Sequence, residues 1–127
     1  LVVVTGPTVV TPLLRRIKQR LGVRKVLRAR PPNAAPGDKV SIAACCAGSC
    51  GSLVRAALAG GATFYLTGEM RHHDALAAAA EGMTVVCAGH SNSERVTLAR
   101  LAERLAKALP DLRTCQAESD VDPFEIV

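Results

Sequence analysis

Between residues 39 and 109 the sequence alternates three times between an apolar segment, a glycine-containing turn and a segment with helical features. Apolar strands that alternate with helices are typical of a parallel sheet covered on both faces. The alternation therefore predicts one α/β domain over residues 1–127, with a mostly parallel sheet flanked by helices. The predicted elements are strands at 39–45, 62–67 and 83–88, and helices at 52–59, at 70–81 and from the turn GHS to Leu109.

The N-terminal segment TPLLRRIKQRLG has the features of a complete helix. Thr11 can cap its start, Pro12 suits the first turn, and Gly22 favours its end. The leucines and the isoleucine between them form one apolar stripe. A strand at 23–29 and a Pro-rich loop at 30–38 are predicted to follow.

The two ends of the chain give further expectations. The chain begins at Leu1 rather than at Met, within a segment typical of a strand or a linker, so we expect it to be a piece of a longer protein. In the C-terminal tail, the segments LRTCQAE and PFEIV predict two antiparallel strands around a turn at 120–122. No apolar segment reaches the ~20 residues that cross a bilayer, so no membrane association is expected.

Positive charge is concentrated near the N-terminus. Residues 1–39 contain nine Lys or Arg and one acid, a balance of +8, and the remaining seven Lys or Arg and ten acids give −3, for the net +5 of the chain. A basic segment can bind nucleic acid. We expect no such binding here, because the basic residues fall on the outer face of the predicted helix and aromatic residues for base stacking make up 2% of the chain.

The five cysteines contain no CxxC pair and no zinc-ribbon spacing. An odd number of cysteines without a secretory signal predicts reduced thiols and a cytoplasmic location. Cys87 interrupts an apolar strand, which predicts a buried and chemically inert thiol.

The turns CAGSCGS, GEMRHH and GHSNSE are expected to lie next to one another. Right-handed crossovers place all strand-to-helix turns of a parallel sheet along one edge, the carboxyl ends of the strands, where open α/β sheets bind ligands. A distance above about 10 Å, two strand spacings, between His90 and GEMRHH would contradict this arrangement. The glycine-rich turn has neither the dinucleotide-binding nor the P-loop spacing.

His90 and Glu94 can be interpreted in two ways. If Ser91 is the N-cap, Glu94 is the third helical residue of a capping box. Alternatively, the imidazole and the carboxylate belong to a site for a divalent cation. In either case His90 is expected to precede the helix, so that a facing i, i+4 pair is not predicted.

The second turn contains the remaining histidines. His72 and His73 are neighbours on a predicted helix and point about 100° apart, so one of them can face a site while the other packs or meets solvent. Glu69 and Asp74 lie near the same helix start. Both can be explained as first-turn acids that the helix dipole favours, and for Asp74 this is the preferred interpretation.

The glycine-rich turn, TGEMRHHDAL, AGHSNSE and the closing DVDPFEIV occur in this order. The combination resembles the C-terminal half of the Nif-three family, also known as type 2 GTP cyclohydrolase I, from roughly residue 11 to the end. The resemblance implies a dinuclear divalent-metal centre (Zn, Mn, Fe or Mg) in a cleft between two related halves, and often a hexamer. It assigns His90 and Glu94 as metal ligands, with Glu69, His72 and His73 lining the cleft.

The same resemblance implies partners and two alternative functions. Family members supply further ligands, including a His-His pair and an acid, from an N-terminal half that this chain lacks, and the pair at 72–73 is not that one. The expected partners are this missing half, further copies of the chain and a nucleotide-like small molecule. The function is either metal-dependent hydrolysis, with a purine nucleotide or related ring as substrate, or a non-catalytic metal-binding or protein-interaction role.

Overall fold

A computed structural model describes residues 4–124 and consists of one five-stranded sheet with helices on both faces. The strand order is β1-β3-β4-β5-β2. The strands are β1 Val4–Val9, β2 Leu27–Ala29, β3 Lys39–Ser49, β4 Phe64–Glu69 and β5 Thr84–Cys87. The helices are α1 Val10–Leu21, α2 Val54–Ala59, α3 His72–Ala80, α4 His90–Arg95 and α5 Leu98–Ala108, with a short 3-10 helix at Gly51–Leu53.

The centre of the sheet is parallel. Strand β4 pairs in parallel with β3 on one side and with β5 on the other. The two outer strands run the other way, β1 antiparallel to β3 and β2 antiparallel to β5. The α/β fold predicted from the alternation is confirmed. Its three parallel strands, β3, β4 and β5, correspond to the strands predicted at 39–45, 62–67 and 83–88.

Two apolar layers hold the helices on the sheet. On one face Tyr65, Met83 and Val85 are fully buried against the alanine-rich helices α2 and α3. On the other face Phe64 and Val86 pack under the leucine stripe of α1. Because alternate residues of a strand point to opposite faces, the continuous apolar strands serve both layers at once.

The N-terminal helix starts earlier than predicted. It begins at Val10, whose backbone N–H donates to the Asp38 carbonyl at 3.2 Å, so Thr11 lies inside the helix and is not its cap. Its end at Gly22 is as predicted, with a φ of 68°. The strand predicted at 23–29 is reduced to its last three residues, because only these find hydrogen-bonding partners on β5.

The predicted long C-terminal helix is two helices, α4 and α5, separated by a turn at Val96 and Thr97. The Thr97 hydroxyl donates to the Glu94 carbonyl at 2.7 Å, and this side-chain bond competes with regular helical bonding. The strand prediction for LRTCQAE is wrong, since residues 112–118 contain no strand. Instead Asp120 accepts a hydrogen bond from Arg95 at 2.8 Å and fixes the tail to α4. The segment PFEIV lies partly outside the described residues.

The prediction of reduced thiols throughout is wrong for one pair of cysteines. Cys46 and Cys50 form a disulfide, with Cα atoms 6.0 Å apart, a separation that disulfides commonly span. Cys45, Cys87 and Cys115 carry free thiols. The pairing depends on how β3 bends between the two residues, which the spacing CAGSC does not show. Within residues 4–124, every helix is too short or too polar to cross a membrane.

Candidate metal centre

His90 is the first residue of α4 and lies against the end of β4. Its Nδ1 atom is 3.1 Å from Oε2 of Glu69, the last residue of that strand. The second and third turns are therefore in direct contact, as predicted from the right-handed crossovers. When the ring is neutral, the carboxylate accepts a hydrogen bond from Nδ1–H, which favours the tautomer with its lone pair on Nε2.

The free Nε2 of His90 faces Oε1 of Glu94 at 3.5 Å. The two residues are four apart within one helix, so the prediction that His90 precedes the helix is wrong. The capping-box interpretation is also wrong: Gly89 is the N-cap, Ser91 lies inside the helix, and no side chain of the described residues caps this end. The reason is the φ of 92° at Gly89, which turns the chain into the helix earlier than the sequence indicates.

The histidine ring lies between two carboxylates at the surface. The hydrogen bond to Glu69 is the largest effect and raises the pKa of His90 above its ordinary value; partial desolvation opposes it, and the charges of Glu94 and Glu69 add to it. The three side chains are about half exposed, at 46%, 48% and 54% for His90, Glu69 and Glu94. The cluster therefore attracts positive charge and can be reached from solvent.

A glycine of β3 forms the wall behind this cluster. Gly48 has a φ of 72°, and a Cβ atom there would lie 2.7 Å from Glu94 Oε1 and 3.4 Å from His90 Nε2. Its N–H donates to Ser93 Oγ at 2.8 Å, and this hydroxyl donates to the His90 carbonyl at 2.7 Å. Gly48 and Ser93 were not among the residues predicted for the site, although both lie within the turns CAGSCGS and GHSNSE.

A second glycine lets α4 approach β4. At Gly68 a Cβ atom would lie 2.6 Å from Ser93 Oγ, 2.8 Å from the Gly48 carbonyl oxygen and 3.0 Å from His90 Cα. Helix α4 thus rests on two strands at positions where any side chain would collide. These close contacts explain how a helix of six residues can hold its polar side chains in place.

The histidines of α3 are less closely involved. His72 and His73 are exposed at the start of the helix, with ring centroids 5.6 Å apart in an edge-to-face arrangement. Within residues 4–124 neither forms a hydrogen bond or ion pair with the cluster. Asp74 lies in the first turn, as its dipole interpretation requires, and accepts from Arg71 at 2.9 Å.

Comparison with known proteins decides the family. The model of the Duf34/NIF3 (NGG1p interacting factor 3) family matches residues 2–123. The chain belongs to this family.

The relatives of this NIF3 chain are longer than it is. It is 37% identical over 116 residues to NIF3-like protein 1 of Rattus norvegicus, over 91% of this chain and 30% of the rat protein. It is 36% identical over 123 residues to the NIF3 homologue of Schizosaccharomyces pombe, over 93% of this chain and 42% of that protein. The crystal structure of a hypothetical protein of Staphylococcus aureus has the same fold, with a TM-score of 0.81 at 22% identity, over 98% of this chain and 41% of that one.

The donor atoms of the NIF3 chain fit part of a cation site. Imidazole nitrogen and carboxylate oxygen both bind divalent metals, and a carboxylate on the second ring nitrogen is the usual support of a metal-bound histidine. Two ligands on one tetrahedral cation with bonds of about 2.1 Å lie roughly 3.4 Å apart, close to the 3.5 Å between His90 Nε2 and Glu94 Oε1. Residues 4–124 contain no group of three or more His, Cys, Asp or Glu side chains arranged to hold a metal, so the described residues do not form a complete metal site by themselves.

Proposed function

We propose that His90 and Glu94 contribute two ligands to a divalent-metal centre, and that the NIF3 protein is a metal-dependent hydrolase of the type 2 GTP cyclohydrolase I kind. The metal-binding part of this proposal is supported by the positions of the two ring nitrogens of His90. With Nδ1 donating to Glu69, the acceptor Nε2 faces the acceptor Oε1 of Glu94 at 3.5 Å. Two acceptors at this distance repel each other unless a proton or a cation lies between them.

The other residues of the cluster hold these two ligands in position. Glu69 fixes the ring by accepting from Nδ1, and Ser93 ties the start of α4 to Gly48. Because Nε2 must be unprotonated to bind a metal, a cation and a proton compete for the same atom. Further ligands would come from a segment of the family fold outside this chain. These ligands would also help to bind the second cation that the family resemblance implies.

The proposed chemistry is hydrolysis of a purine nucleotide or a related ring. A bound divalent cation supplies polarisation of the substrate bond and activation of water. The half-exposed cluster leaves room for a substrate beside it. Glu69, His72 and His73 are the candidates for lining the cleft in which that substrate would bind.

Replacing Glu94 by glutamine should weaken binding of Mn²⁺ or Zn²⁺ by about tenfold, because the amide keeps the shape of the side chain and removes its negative charge. The thermal stability of the metal-free chain should change little, since the Glu94 side chain caps no helix end in the described structure. Calorimetric titration of the chain with each metal, in the presence of the unmatched segment of a relative that would supply the further ligands, measures the first effect. Thermal unfolding of the chain in a chelator measures the second.

The matched control for this variant is Glu103→Gln, which removes the same charge from an exposed position of α5. It should bind both metals as the unchanged chain does. Equal affinities of the Glu94 variant and the unchanged chain would show that Glu94 is not a ligand. Hydrolysis is tested separately, by following GTP turnover of the metal-loaded protein; metal binding without turnover of GTP or other purine nucleotides would contradict the hydrolase proposal alone.

A second candidate function, a non-catalytic interaction module, is favoured by the surface of α5. The helix has no buried residue, and Leu98, Leu101 and Leu109 are 36%, 51% and 51% exposed along one side of it and its end. Since the chain spans 30% and 42% of the two relatives described above, we propose that these leucines pack against the segment of the family fold that the chain lacks.

Replacing Leu101 by glutamine should weaken that association by about tenfold or more, because burying a leucine contributes roughly 2 kcal/mol. The chain would be mixed with the unmatched segment of a relative, and complex formation would be followed by analytical ultracentrifugation. The control Glu103→Gln should associate normally. Equal association of all three forms, with unchanged circular dichroism, would exclude α5 as the contact surface.

A further inference from the structure

The backbone segment of β3 behind the cluster of His90, Glu69 and Glu94 is closed by a disulfide between its two ends. Strand β3 pairs regularly with β4 up to Cys46 and resumes at Ser49, so the residues between them form a bulge. Cys46 and Cys50 bridge this bulge, and Gly48 lies at its centre. The disulfide therefore constrains the backbone at the point where it meets α4.

Hydrogen bonds connect this bulge to the helix that carries His90 and Glu94. The Gly48 N–H donates to Ser93 Oγ at 2.8 Å, and its carbonyl accepts from Thr67 Oγ1 at 3.0 Å. Ser93 in turn donates to the carbonyl of His90. Two consecutive hydrogen bonds therefore link the backbone of the bulge to His90, the first residue of α4, so a shift of Gly48 would alter the position of that residue.

The pair is suited to reversible chemistry. Both cysteines are partly exposed, with the exposed residues Ala47 and Ser49 between them, so a small thiol or disulfide can reach the sulfurs. The Cys50 sulfur lies 3.0 Å from the Ala47 carbonyl oxygen, an acceptor for the S–H of the reduced form. By contrast, burial raises the pKa of the Cys87 thiol, which disfavours its reactive thiolate.

We propose that Cys46 and Cys50 are a reversible redox-modification site that controls the position of α4, and through it the affinity of His90 and Glu94 for a divalent cation. The disulfide form holds Gly48 against the cluster, and the reduced form loosens it. The effect on α4 is independent of any metal, whereas the effect on affinity rests on the metal-binding proposal above.

The oxidant is a low-molecular-weight disulfide of the glutathione type. The thiolate of one cysteine attacks a sulfur of that disulfide, forming a mixed disulfide and releasing one thiolate. The second cysteine then attacks the protein sulfur of the mixed disulfide, forming the Cys46–Cys50 bond and releasing the second thiolate. The pair loses two electrons, the small disulfide gains them, and the two cysteine protons pass through solvent to the released thiols.

The test uses the full chain with Cys115→Ser, which removes the exposed thiol. Equilibration with mixtures of reduced and oxidised glutathione, alkylation and peptide mass spectrometry should show a bond between Cys46 and Cys50 that forms and breaks reversibly. Amide hydrogen exchange at Gly48, measured without metal, should be about tenfold faster in the reduced chain, since a closed loop restricts opening. The double variant Cys46→Ser, Cys50→Ser should behave as the reduced chain under all conditions.

Affinity for Mn²⁺ is then measured on the disulfide form and on the double variant, each mixed with the unmatched segment of a relative that would supply the further ligands, and should be about tenfold lower in the variant. Exchange at Gly48 that is equal in both forms would overturn the proposal. Faster exchange with unchanged Mn²⁺ affinity would overturn the link to the cluster. Faster exchange in a protein that binds no Mn²⁺ in either form would support the redox control of α4 and refute the metal-binding proposal instead.

Discussion

Replacing Gly68 by alanine is expected to destabilise the folded chain by about 3 kcal/mol, at the upper end of the usual cost of overpacking. The added methyl group would lie 2.8 Å from the Gly48 carbonyl oxygen and 3.0 Å from His90 Cα. Both are backbone atoms of packed elements, so the clash cannot be relieved by turning a flexible side chain. Helix α4 must move away from β4, and the contacts of Ser93 are lost with it. Urea unfolding followed by circular dichroism measures the effect.

The control for this variant is Gly37→Ala. A Cβ atom at this position would have nothing within 4 Å, and the backbone there is not in the left-handed region. Its stability should therefore stay within about 0.5 kcal/mol of the unchanged chain. If the two alanine variants were equally stable, the close approach of α4 to the sheet described above would be wrong.

Replacing His90 by alanine is expected to lower the affinity for Mn²⁺ or Zn²⁺ by about 100-fold, the upper end of the range for loss of a residue that merely supports a ligand. The substitution removes the Nε2 donor and leaves Glu94 without its neighbour. It also removes the hydrogen bond between His90 Nδ1 and Glu69. Stabilisation by added metal, measured as a shift of the unfolding temperature, should shrink in parallel, since it depends on affinity by mass action.

The variant His73→Ala tests whether His73 binds the metal or only lines the proposed cleft. The His73 ring is exposed on α3 and forms no hydrogen bond or ion pair with the cluster within the described residues, so cation affinity should be unchanged. A loss of affinity in this variant as large as in His90→Ala would contradict the assignment of the ligands.

The arrangement of the sheet could be predicted because it depends on a pattern that spans the chain. Three apolar strands alternating with helices allow few topologies, and right-handed crossovers then bring Glu69 beside His90. That contact joins residues far apart in sequence, yet it follows from topology alone. The contact between these two turns at the carboxyl ends of the strands was therefore predictable from the sequence.

Local details were less predictable because they depend on backbone conformations that neighbouring elements impose. Ser91 stands where the sequence predicts a helix cap, but Gly89, with its positive φ of 92°, is the N-cap instead, and the earlier helix start places His90 and Glu94 one turn apart in the same helix. The tail at 112–118 has apolar residues but no strand, since Asp120 is drawn to Arg95 instead. The Cys46–Cys50 bond depends on a bulge that no spacing rule describes.

The burial of Tyr65 gives the chain a built-in optical reporter. The sequence contains one tyrosine and no tryptophan, so the near-ultraviolet signal of the protein comes almost entirely from this phenol. The phenol is fully buried and donates to the Cys50 carbonyl at 2.9 Å, which places the chromophore beside the disulfide. Burial raises its pKa, so between the ordinary value near 10 and the raised one only the unfolded chain releases the proton, and stability declines as pH rises through that window. Ultraviolet absorbance can thus follow unfolding and events at Cys50 without any added label.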